Sequence, residues 1–205
     1  MRKPPYRLTG TGVFCISGTV ADMTYKIRSI RADEWAEVKG LRLEALRDPV
    51  AHLAFLETYD QAAAQPDSFW QERAIGGAEG ATGAQQIIVE GPDGEWVGTL
   101  TVLIEEAGTQ DWTGLTVERR QGHIVGVFVR PEYRGIGLTE VLFDAGLQWA
   151  WGRDVERVRL IVHEDNDRAR RFYGKAGFMP TGLVVPLGED TEERELEMAV
   201  EREQF

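Results

Sequence analysis

The sequence predicts one α/β domain, a mixed sheet of about six to seven strands with helices on both faces. Three observations carry this. Alternating or β-branched runs recur at 25–30, 85–90, 95–104, 123–129, 157–163, 178–186 and 193–201. Stretches with a period near 3.6 lie between several of them, in the order β-α-α-β-β-β-α-β-α-β-β. Finally, 205 residues with 42% hydrophobic content suffice for one core. Residues 1–22 read as an extension and 23–205 as a single domain, because Met23 stands directly before the first convincing strand.

The elements follow in order. Ala32-Asp33-Glu34 opens an amphipathic helix with Trp35, Val38, Leu41 and Ala45 on one side, and Asp48-Pro49 ends it. Residues 49–66 are mixed, with Phe55, Leu56 and Tyr59 among polar neighbours. Ser68 and Gln71 have the spacing of a capping box for a second helix, and the glycine- and alanine-rich stretch 76–83 reads as a mobile loop. Gly91-Pro92-Asp93-Gly94 is a hairpin turn, and 105–122 is a long polar connection containing Trp112. In the helix after 137, Leu138, Val141, Leu142, Ala145 and Trp149 share one face, with Gly152 at the cap position. Asp165, Asn166 or Asp167 caps the next helix, which runs through Lys175 and closes at Gly177; Gly188-Glu189-Asp190 turns between the last two strands.

Composition excludes several classes of function. The 34 acidic against 23 basic side chains give a formal charge of −11, which argues against non-specific binding to nucleic acid or an anionic membrane and favours a cationic small molecule. The same acidity also serves plain solubility. Cys15 is the single cysteine, so no disulfide within the chain and no Cys-based zinc site is expected, and His52, His123 and His163 are too scattered for a metal cluster. No apolar run approaches the roughly 18 residues of a membrane span. Glycines and polar residues dilute the apolar stretch 8–20, so it is not read as a secretion signal, and a cytoplasmic location is expected.

The chain's most informative stretch is 123–139. The apolar run His-Ile-Val-Gly-Val-Phe-Val leads through Arg-Pro-Glu-Tyr into Arg134-Gly135-Ile136-Gly137-Leu138-Thr139 and then a helix. Two residues without Cβ let the main chain approach a bulky anion, and the amides of Ile136, Gly137, Leu138 and Thr139 open a helix whose dipole is positive at that end. Arg134 adds a positive charge. A tight turn without a ligand uses the same glycines. The third glycine of a dinucleotide fingerprint and the Gly-Lys-Ser/Thr ending of a P-loop are both missing.

These residues resemble the GNAT superfamily of acyl-CoA-dependent N-acyltransferases over about 25–200. Arg134 to Thr139 match its central motif, Gln/Arg-x-x-Gly-x-Gly/Ala, and Asn166, Ala169, Phe172, Tyr173, Gly177 and Phe178 match a second, about 30 residues on. Thr139 stands where the family usually keeps Gly or Ala, and Ile136 where relatives often carry Lys or Arg.

The resemblance implies acetyl-CoA as cosubstrate, lying between two parallel strands that splay apart, here 123–129 and 157–163. It implies that the Val127 amide polarises the thioester carbonyl, that Phe128 and Val129 border the pantetheine, and that Asn166 either bonds this arm or caps its helix. Arg170 or Arg171 would reach the 3′-phosphate. Tyr173 would protonate the leaving thiolate and His123 would deprotonate the acceptor, with Glu105 and Glu106 as rivals or as a solvated charge pair. The expected reaction is direct acetyl transfer to a small cationic amine. A protein N-terminus or lysine is the rival acceptor, and an acyl-CoA-binding module without catalysis is the rival of another class. The acceptor pocket is expected near 49–59 and 184–191. A homodimer is implied by likeness alone.

Overall fold

The computed structural model describes residues 13–16, 23–186 and 194–202. Its strands are β1 (Val13–Ile16), β2 (Met23–Ser29), β3 (Ala84–Glu90), β4 (Trp96–Glu105), β5 (Gln121–Val129), β6 (Arg157–His163), β7 (Met179–Pro186) and β8 (Arg194–Glu201). They form one sheet in the order β1-β2-β3-β4-β5-β6-β8-β7. The expected mixed sheet is present, widened by β1, which pairs with β2 from Val13 opposite Lys26 to Ile16 opposite Met23. The helices are α1 (Trp35–Ala45), α2 (Tyr59–Ala63), α3 (Asp67–Gly77), α4 (Leu138–Trp151) and α5 (Asp167–Lys175). None is long and apolar enough to cross a membrane.

Side chains alternating along the strands feed two cores, one on each face. Ile87 and Val89 join Leu142, Phe143 and Leu147 beneath α4, whereas Ile88 between them meets Val38, Leu41 and Trp70 beneath α1 and α3. A Cβ on Gly146 of α4 would come within 2.8 Å of Leu100 Cδ2, so the missing side chain lets α4 lie close on β4.

Every strand pairing is antiparallel except that of β5 with β6. This parallel ladder holds only from Gly122 opposite Val158 to Ile124 opposite Leu160, although β5 continues to Val129 and β6 to His163. The two strands therefore part beyond Ile124. On its other side β5 bulges: Thr101 faces Val125 but Thr99 faces Phe128, so Gly126 and Val127 together oppose Leu100. Gly126 accommodates this with φ +64°.

Several local expectations are revised. The capping box belongs to Thr58 and Gln61, which start α2 inside the stretch read as mixed. Ser68 cannot cap, because α3 begins at Asp67 and so holds Ser68 in its first turn. The loop expected from 76 begins after Gly77, where α3 ends. Gly152 does cap α4 as expected, though in a right-handed conformation, and the left-handed residue beyond it is Asp154 at φ +56°. The turn 188–190 lies outside the described residues.

Glu105 and Glu106, read together as a solvated pair, differ. Glu106 is exposed beside Arg120. Glu105 is half-buried in a network around Arg159, whose guanidinium reaches Glu105 at 2.7 Å, Asp111 at 2.9 Å and Glu197 at 3.0 Å. His123 Nδ1 lies 2.9 Å from Glu105 as well. These links tie β4, the following loop, β5, β6 and β8 behind the open part of the sheet. Burial opposes the charge on Glu105, but hydrogen bonds from His123 and Arg159 outweigh it and hold its pKa at about 2.

Two outcomes follow from this network. Glu105 has a folded pKa of about 2 against an ordinary 4.5. Its contribution, on the order of 3 kcal/mol, is complete above pH 4.5 and is lost as pH falls through about 2, as denaturant unfolding at a series of acid pH values would register. Arg159→Met should cost about 3–5 kcal/mol at neutral pH in the same measurement, since it leaves buried carboxylates without their cation.

Candidate active site

Where β5 and β6 part, two cavities open and share Ala54, Phe55, Val127, Asn166 and Tyr173. The larger, about 750 Å³, is walled by apolar groups such as Leu53, Phe55, Leu103 and Trp112, with His123 and Glu195 among its polar members. The smaller, about 270 Å³, follows Phe128, Val129, Arg134, Gly135 and Thr139 toward the start of α4.

The loop into α4 has the backbone that its glycines suggested. Gly135 and Gly137 have φ +81° and +94°, and a Cβ at either would meet nothing within 4 Å. The glycines thus supply an otherwise strained conformation and an open approach to the backbone. α4 starts at Leu138 with Gly137 as N-cap and no side chain capping it. Leu138 itself is buried in the core, whereas Ile136 is exposed, so each contributes an amide rather than a polar side chain. Thr139 lines the smaller cavity. The residues present fit a polyphosphate: open amides, a helix start and a hydroxyl.

Arg134 is not a free cation beside these amides. Its Nε donates to the Val129 carbonyl at 2.8 Å and its guanidinium pairs with Asp48. Arg170 turns its Nη1 to the Glu164 carbonyl at 2.9 Å, and Arg168, rather than Arg170 or Arg171, lines the smaller cavity. Asn166 caps α5: its Oδ1 accepts from the Ala169 N–H at 3.2 Å, while its Nδ2 donates to the Leu53 carbonyl at 3.0 Å. That bond also secures part of the 49–59 segment as a wall of the larger cavity.

Tyr173 stands on α5 at the junction of the cavities, held by rings. Phe143 lies 5.5 Å from it between centroids and Phe172 5.8 Å. Burial, and secondarily the charge of Glu195, push its pKa well above that of a free phenol. His123 lines the larger cavity but is buried, with Nδ1 committed to Glu105. Val127 lines both cavities from the bulge in β5.

Glu195 escaped the sequence reading. It sits on β8 opposite His163, buried, in the wall of the larger cavity, and burial raises its pKa to about 7. Of the segment 184–191 expected to wall the acceptor pocket, 187–191 lie outside the described residues, and Glu195 lines the larger cavity from just beyond it. An acidic residue in an alternating strand carries no mark of its function, and α5 and β8 meet only in three dimensions.

Among known proteins, the model of the acetyltransferase (GNAT) family matches residues 35–178. An uncharacterized N-acetyltransferase of Archaeoglobus fulgidus is 34% identical over 87 residues, covering 42% of this chain and 55% of that protein. A mycothiol acetyltransferase of Propionibacterium freudenreichii is 29% identical over 147 residues, covering 68% and 43%. The chain thus spans about half the length of the curated relatives it matches. Two solved structures share the fold. An acetyltransferase of the GNAT family from Streptococcus pneumoniae has a TM-score of 0.66 at 15% identity, over 85% of this chain and 98% of the other. The PaiA N-acetyltransferase of Thermoplasma acidophilum, solved in complex with coenzyme A, has 0.63 at 15%, over 86% and 98%. With the family model covering more than half of its length and the splayed strands in place, the chain belongs to the GNAT family.

Proposed function

We propose that the protein moves an acetyl group from acetyl-CoA to a primary amine by direct transfer in a ternary complex, and that the acceptor is a small cationic amine. The observation carrying this reading is the junction of the two cavities at Val127 and Tyr173. A donor entering along the smaller cavity and an acceptor filling the larger would meet there, which converts a bimolecular encounter into an oriented one.

Acetyl-CoA would place its phosphates on the amides of 136–139 and its pantetheine beside Phe128 and Val129. The Val127 amide, fixed in the sheet, would stabilise charge on the thioester oxygen by about 3 kcal/mol without reorganising. Tyr173 would give its proton to the leaving sulfur. Its raised pKa keeps that proton in place until negative charge develops nearby. The ammonium of the acceptor must first lose a proton, since an amine of pKa near 10 is roughly 0.1% neutral at pH 7. His123 offers one route, through Nε2 and water, because Nδ1 is occupied by Glu105. The apolar walls suit a carbon body, and the acidic Glu195 suits a cationic end.

Thiol release from acetyl-CoA across a panel of small amines and N-terminal peptides tests the reaction; tight CoA binding without release from any of them would leave a binding module instead. Tyr173→Phe should lower turnover by about a hundred-fold or more while CoA affinity in calorimetry stays near wild type. Gly137→Val should do the reverse first, weakening CoA binding by about ten-fold or more, because it strains a backbone at φ +94° and adds carbon to the open cradle.

A further inference from the structure

We infer that Glu195 on β8 takes the proton from the acceptor ammonium, and that it works as one half of an acid–base pair with Tyr173. This rests on the acetyl transfer proposed above and deepens it. The geometry has three parts. Glu195 and Tyr173 line the same cavity, from β8 and α5 respectively, and Tyr173 also lines the smaller cavity that joins it. Glu195 is 9% exposed, yet no side chain among the described residues forms an ion pair or hydrogen bond with it. The other carboxylates of that wall differ: Glu105 and Asp111 are held by Arg159, Glu57 by Arg42 and Glu106 by Arg120.

The groups packed around Glu195 leave it this freedom. From β6, His163 lies opposite it in the antiparallel register, but His163 Nδ1 accepts the Asp165 N–H at 3.1 Å. Two residues along β8, Glu197 is bound by Arg157 and Arg159. β7 places the apolar Val185 opposite. Across the cavity, His123 is engaged by Glu105. Burial alone therefore sets the affinity of Glu195 for a proton, near pH 7, where a general base is most effective.

The pairing with Tyr173 follows from charge. The negative carboxylate holds the Tyr173 proton in place; once Glu195 has taken a proton from the ammonium, that hold is released. The steps balance. One N–H proton passes to Glu195, and the freed nitrogen pair forms the C–N bond. The C–S bond then breaks with its electrons going to sulfur, and Tyr173 O–H supplies the sulfur proton. The nitrogen's remaining surplus proton restores the phenol, and Glu195 returns its own to solvent. Deprotonation thus readies the acid for the later step.

The test measures kcat/KM from pH 6 to 10 with the best amine of the panel. Glu195→Gln should lose about a hundred-fold at pH 7 and recover toward wild type near pH 10, where the amine is neutral unaided, with KM for acetyl-CoA unchanged. Glu195→Asp, which keeps a carboxylate, should retain a large part of the activity at pH 7. In NMR of ring-labelled protein, the tyrosine signal lost in Tyr173→Phe should titrate at lower pH in Glu195→Gln than in wild type. An unaltered pH profile, or an equal loss at every pH, overturns the base role. An unmoved tyrosine titration overturns the pairing. If the wild-type protein acetylates no amine, the transferase reading itself fails; if it does and Glu195→Gln is indifferent, Glu195 alone is removed.

Discussion

The parting of β5 from β6 after Ile124 is the constraint on which the site depends. A continuous sheet would bury both strand edges in hydrogen bonds and leave no room for a ligand. The bulge at Gly126 and Val127 turns β5 on its β4 side over the stretch where its β6 side is free. One extra residue in one strand thereby accompanies both an open edge and an amide set at the junction of two cavities. The helices complete the arrangement, α4 from the end of β5 and α5 from the end of β6, so that two helix starts face the gap.

Charge is distributed in two regimes around that gap. Behind it, Arg159 neutralises a cluster of carboxylates that would otherwise repel one another in a poorly solvated place. In front, Glu195 and Tyr173 have no such cation among the described residues and retain protons to higher pH than their free counterparts. The first group fixes strands; in the second, Glu195 is able to exchange a proton near neutrality while the Tyr173 phenol keeps its own. Two carboxylates on adjoining parts of one face, Glu105 and Glu195, thus have pKa values of about 2 and about 7.

Much of this was legible in the sequence, for local reasons. Alternating or β-branched runs marked every strand from 23 onward, and the glycines at 135 and 137 marked an open turn into a helix that the structure contains. A cap was expected at Asp165, Asn166 or Asp167, and Asn166 supplies it. What was not legible depends on contacts far apart in the chain. Whether Glu105 is solvated turns on Arg159, 54 residues later. Arg134 reads as a free cation until Asp48, 86 residues earlier, comes beside it. α2 was missed because five residues give too short a period to detect, although Thr58 and Gln61 carried its capping signal.

The bond from Asn166 to the Leu53 carbonyl gives the site a common hinge. The same side chain that starts α5, and so aims Tyr173, also suspends the wall formed by 51–55. Tilting that helix would displace the phenol and reshape the larger cavity together. Under the proposed transfer, variation in the amine accommodated would be mechanically linked to the placement of the acid. A chain under selection for a new acceptor would have freer choice among residues on the far wall, around Leu103 and Trp112, than among those hung from Asn166.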